Sequence, residues 1–66
     1  MITNKVLELA KNAQLKIVDK GDVIEGKWLS DGHTAFSLDK ATQRTTHFRE
    51  INTRISAVVA ELKANL

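Results

Sequence analysis

The segment Gln14–Leu38, QLKIVDKGDVIEGKWLSDGHTAFSL, decides the fold, because its apolar residues recur at every second position. Leu15 and Ile17 flank Lys16. Ile24, Gly26 and Trp28 alternate with Glu25 and Lys27, and Phe36 and Leu38 flank Ser37. A period of two sends successive side chains to opposite faces of a strand. The runs are broken at Asp19-Lys20-Gly21-Asp22 and Ser30-Asp31-Gly32, clusters of the residue types that form turns. The segment therefore reads as a three-stranded antiparallel meander, with strands over about residues 14–19, 23–29 and 33–38.

Cross-strand matching suggests the registers. A four-residue loop over Asp19–Asp22 pairs Ile17 with Ile24 and Lys16 with Glu25, apolar to apolar and cation to anion. The second turn admits two readings. A two-residue Asp31-Gly32 hairpin pairs Lys27 with Phe36 and mixes charge with core on one face. A three-residue loop with Gly32 left-handed pairs Trp28 with Thr34, Gly26 with Phe36 and Ile24 with Leu38. The second gathers the large apolar groups together and is preferred. It also lets the Phe36 ring cover the backbone at Gly26. Trp28 then faces the core, whereas a one-residue slip makes it an exposed anchor of the kind that dominates interfaces.

Outside the meander the period becomes helical. Thr3 is a plausible N-cap, with Ile2 and Leu7 placed for a hydrophobic staple. Ile2, Val6, Leu9 and Ala13 follow at helical spacing, so a helix is predicted over about residues 3–12. Near the other end Phe48, Ile51, Ile55, Val58 and Leu62 step by three and four, and Val59 widens that stripe. This predicts a helix over about residues 45–64. Asp39 could cap it early, and Thr45 or Thr46 serve equally well. Glu50 and Arg54 would form an i,i+4 pair. The expected fold is a single α+β domain of order α-β-β-β-α, with both helices on one sheet face. Val6, Leu9, Leu15, Ile17, Ile24, Trp28, Phe36, Leu38, Phe48, Ile51, Ile55, Val58 and Leu62 form the expected core.

Composition limits what such a domain can do. The chain has 66 residues and no Cys, so neither disulfides nor thiolate metal sites can hold it together. Chains this short bury only about 60% of their unfolded surface, which makes a partner subunit a natural source of extra stability. The longest apolar run is too short to span a membrane and the start shows no signal-peptide core, so a cytoplasmic protein is expected. His33 and His47 have no acid or thiol at metal-ligand spacing. Asp19 and Asp22 read as turn formers, since the other ligands of a calcium loop are missing. Ser30, Ser37 and Ser56 lie in no nucleophile elbow, and no phosphate loop or dinucleotide fingerprint occurs. No cofactor, metal, small-molecule substrate or enzymatic activity is expected.

Two surfaces remain as candidates. The net charge of +2 is unevenly placed: Lys40, Arg44, Arg49 and Arg54 with the single acid Glu50 make a local +3, and the remaining residues sum to −1. With His47, these cations are candidate contacts for nucleic acid or an acidic partner. On a helix, however, Arg49 and Arg54 would stand roughly 140° apart rather than in one stripe. The plain alternative is a solvated helix surface. The second surface is apolar. A helix of ~18 residues is ~27 Å long and would overhang a six-residue strand of ~20 Å, exposing Val59, Leu62 and Leu66. The other sheet face carries Val18, Val23 and Leu29. Homodimerisation through either surface is expected. The functional expectation is a small non-enzymatic regulator or inhibitor that occupies a protein partner's surface. By analogy of size and layout, phages and mobile elements carry proteins of this kind. Nucleic-acid binding through Lys40–Arg54 is the alternative.

Overall fold

The computed structural model of the chain describes residues 2–48 and 52–66. Among them the order is α1 (Asn4–Asn12), β1 (Leu15–Asp19), β2 (Val23–Trp28), β3 (Thr34–Asp39), β4 (Thr45–His47) and α2 (Thr53–Ala64). The strands form one antiparallel meander in the order β1-β2-β3-β4. The α+β class and the meander agree with the sequence pattern, but the sheet has four strands rather than three.

The fourth strand replaces the expected start of the last helix. Asp39 does accept from backbone N–H groups just ahead of it, at Ala41 (2.9 Å) and Thr42 (3.2 Å), as a helix N-cap would. The chain then turns back instead of winding on. Gln43 takes a left-handed φ of 59°, and the Asp39 N–H donates to the Arg44 carbonyl at 2.8 Å, closing a hairpin. Thr45, Thr46 and His47 follow as an edge strand, in keeping with the preference of β-branched residues for extended backbone. Helix α2 is capped by Asn52, whose side chain accepts from the Ile55 N–H at 2.9 Å. Phe48 therefore stands outside the helix and is 56% exposed, not core. Ile51 and the proposed Glu50–Arg54 pair involve positions outside the described residues.

The β1–β2 turn is tighter than expected. Lys20 N–H donates to the Val23 carbonyl at 2.8 Å around Gly21 and Asp22, and Gly21 has φ +92°. A two-residue turn with positive φ only at its first central position is the type II′ arrangement. Ile17 therefore pairs with Gly26 and Lys16 with Lys27, two positions from the expected register. A slip of two keeps every side chain on its face, so the inward set survives while the Lys16–Glu25 pairing is lost.

Between β2 and β3 the expected pairs Gly26–Phe36 and Ile24–Leu38 are present, and Gly32 is left-handed at φ +75°. A bulge then shifts the register, so Thr34 meets Lys27 rather than Trp28, and Ala35 is the extra residue. Both Ala35 and Phe36 turn inward, at 3% and 0% exposure.

Both helices cover the inner sheet face. Val6 and Ala10 of α1 and Ile55, Val58, Val59 and Leu62 of α2 join Leu15, Ile24, Phe36 and Leu38 in one buried cluster. Leu9, Ile17 and Trp28 pack at its margin. Thr3 caps α1 as expected, accepting from the Val6 N–H at 3.2 Å, while Leu7 is 49% exposed. With 12 residues α2 is only ~18 Å long, so it does not overhang the strands.

At the sheet's centre a Cβ added to Gly26 would collide with Cε2 of the Phe36 ring, and would lie 2.7 Å from Cδ2 and 2.8 Å from Cζ. Gly26→Ala should therefore cost about 1–3 kcal/mol, the usual penalty of overpacking. Phe36→Leu on that background should recover part of the loss. Denaturant midpoints of the two single variants and the double variant would show this non-additivity.

Candidate interaction surface

Strand alternation assigns each polar residue of the meander to a face. The inner face takes Leu15, Ile17, Ile24, Gly26, Trp28, Phe36 and Leu38. Through the pairs Leu38–Thr45 and Phe36–His47 it also takes Thr45 and His47. Among the described residues, both helices pack on the inner face and none covers the outer one. Three rows cross it: Lys16, Lys27 and Thr34; Val18, Glu25, Ser37 and Thr46; and Val23 with Asp39.

The electrostatics of this outer face centre on Glu25. Its side chain is only 16% exposed, with Lys20 Nζ at 3.1 Å and Lys27 Nζ at 4.0 Å from Oε1. That oxygen is shut off from solvent, and the contact with Lys20 is an ion pair rather than an aligned hydrogen bond. Beside it, Lys16 and Lys27 stand directly opposite one another. Val18 and Val23 are half-buried among these groups. Phe48 lines a shallow depression with Glu25, His33 and Thr34, and Arg44 lines a second with Val23, Ser37 and Asp39.

The cations expected to act together are dispersed. Lys40 is committed to Asp19, its Nζ lying 2.8 and 3.0 Å from the two carboxylate oxygens. Its backbone N–H also donates to the Asp22 carbonyl at 3.1 Å, so the β3–β4 turn is clasped to the β1–β2 turn. Arg44 closes the same β3–β4 turn and is exposed. Arg54 lies at the far end of the sheet, where its guanidinium donates to the Asn12 carbonyl at 3.4 Å beside the start of β1. There it lines a groove between the helices with Leu9, Asn12 and Ala57. His47 turns inward, its Nδ1 out of solvent contact and unpartnered. Arg49 lies outside the described residues.

The apolar candidates also divide. Val59 and Leu62 are buried in the chain's own core, at 7% and 0% exposure, and so offer no surface to a partner. Leu66 is exposed at the end of the chain, and Leu29 is 60% exposed just beyond β2. Val18 and Val23 do share the outer face. Phe48 on that face was missed, because its spacing from Ile51 and Ile55 placed it on a helix. The sign of its true place is the run of β-branched residues just before it.

Among the described residues, no three His, Cys, Asp or Glu side chains come together to hold a metal ion. Among the same residues no helix is long and apolar enough to cross a membrane. No protein-family model, curated protein or solved structure matches the chain.

Two consequences are measurable. Leu62→Ala should destabilise the fold by about 2–5 kcal/mol, as a buried leucine does. Equilibrium unfolding should give this loss independently of protein concentration, whereas a residue of a dimer contact would give a concentration-dependent one. The Asp19 carboxyl is held below its ordinary value first by its hydrogen bond from Lys40 and then by the Gly21 N–H. A depressed carboxyl adds stability that is fully present above the unfolded aspartate value and fades as pH falls through the folded one. Thermal melts of the wild-type chain should therefore lose more between pH 5 and pH 2 than those of Lys40→Ala. Added salt should narrow the gap, since both groups are partly exposed.

Proposed function

We propose that this chain is a non-enzymatic cytoplasmic regulator, of the inhibitor or modulator type, that works by occupying the surface of a protein partner. The observation that carries this reading is the outer sheet face, which no helix covers among the described residues, with half-buried Val18 and Val23 on β1 and β2 and the exposed ring of Phe48 beyond β4, beside Glu25 and Thr34. Apolar groups set among charges on an open sheet face are a common setting for protein binding. The rival reading, nucleic-acid binding through Lys40–Arg54, is weakened by the dispersal of those cations. Lys40 is paired with Asp19, and Arg54 sits at the opposite end of the sheet. Self-association has less surface to use, because Val59 and Leu62 are buried in the chain's own core.

Anisotropy titrations with labelled duplex and single-stranded DNA at two salt concentrations separate the main readings. Little or no binding at low salt is expected. Tight binding with a log–log salt slope of roughly −3 to −4 would mean that four phosphate contacts are made, and would overturn the protein-binding reading. On the protein side, tagged chain recovered from its native host should carry one partner in fixed proportion. Phe48→Asp should reduce that recovery several-fold while leaving the chain's own melting curve nearly unchanged.

A further inference from the structure

Building on the protein-binding reading, we infer that the outer sheet face is a docking surface for an acidic protein segment, with the Lys16–Lys27 pair as its anion-binding centre. Three features of the face carry this. First, Lys16 and Lys27 occupy directly opposed positions of β1 and β2. Like charges placed so are repulsive, a cost the free chain bears. A carboxylate seated between them removes that repulsion. Second, among the described residues placed in these rows and depressions, Lys16, Lys20, Lys27 and Arg44 stand against Glu25 and Asp39. Asp39 is occupied in accepting from the N–H groups of Ala41 and Thr42. Glu25 is sunk to 16% exposure and already in contact with Lys20 and Lys27. The field that reaches solvent is positive. Third, Val18 and Val23 supply apolar contact between the charges.

These features select the occupant. A second copy of the chain would bring its own Lys16 and Lys27 against the first pair and deepen the repulsion. A nucleic-acid strand would meet the positive field, but base recognition on a sheet needs successive stacking rings. Among the described residues this face offers Phe48 alone, with β-branched valines elsewhere. An extended polypeptide that alternates acidic and apolar side chains matches both the lysines and the valines.

The test uses the full chain and two probes, a ten-residue peptide of alternating Glu and Leu and a ten-nucleotide oligothymidylate, each followed by amide chemical shifts. The peptide should shift Lys16, Val18, Glu25, Lys27 and Thr34 while leaving α1 and α2 unmoved. Lys16→Glu should weaken it at least tenfold and yet raise the melting temperature of the free chain, because the like-charge pair is gone. Glu25→Gln should tighten binding several-fold by releasing Lys20 and Lys27. If that variant does not fold, Lys27→Gln takes its place and should weaken binding at least threefold. Shifts confined to the helices, or binding indifferent to these lysines, would overturn this surface and leave the chain a protein binder elsewhere. No shift with the peptide would also overturn it. Oligothymidylate bound through the same lysines, with the peptide inert, would overturn both this inference and the protein-binding reading.

Discussion

The close approach of the Phe36 ring to the backbone of Gly26 is the contact on which the rest of the structure depends. Phe36 is fully buried, and its ring fills the space where a Cβ of Gly26 would stand. Only glycine permits this, so the pairing of β2 with β3 is pinned at one register. A slip by one would set Glu25 or Lys27 against the ring and turn the charged face inward. The Ala35 bulge follows from the same site. It admits a second small residue to the core beside Phe36 and redirects the strand towards His33, whose carbonyl accepts from the Trp28 N–H at 2.8 Å. With the ring fixed, Ile24 and Leu38 lie alongside it, and α1 and α2 close over one continuous apolar surface.

Much of this was legible because period-two alternation constrains faces more strongly than it constrains neighbours. Apart from Ala35, which the bulge turns in, the inward residues of the three expected strands, the Gly26–Phe36 pair and the left-handed Gly32 could be read from the pattern. The β1–β2 register could not. The expected pairing rested on Ile17 meeting Ile24, a match of faces that a slip of two also keeps, and on a Lys16–Glu25 attraction worth only ~0.2–1 kcal/mol. The backbone preference of Gly21 for a two-residue turn outweighs it. Strand β4 was illegible for a different reason. Three residues are too few to show a period, and Asp39 carries the same chemistry in a turn as in a helix cap. Phe48 happened to stand three residues before Ile51, which extended an authentic stripe backwards past its cap at Asn52.

The same hairpin explains why the basic segment does not act as a unit. Residues close in sequence stay close in space along a helix, so Lys40 to Arg54 looked like one patch. A reversal at Gln43 instead leaves Lys40 and Arg44 at one end of the sheet, with Lys40 clasped to the β1–β2 turn. It turns His47 inward and carries the chain across the sheet before α2 begins with Arg54 against Asn12. Lys16 and Lys27, distant from that segment in sequence, are by contrast set directly opposite one another by the meander.

That arrangement bears on why one sheet face stays open. A face meant only to meet water is best served by charges of alternating sign, each exposed and each beside its opposite. Here the one acid of the central row, Glu25, is drawn into the surface and its Oε1 loses contact with water, while Lys16 and Lys27 confront each other. Val18 and Val23 are covered only in part. Sinking a carboxylate has a desolvation cost, which its contacts with Lys20 and Lys27 offset. Neither hydration nor the chain's own packing gains from this pattern. An anionic partner would gain from it, because its carboxylates would relieve the repulsion that the sheet register imposes on the free chain.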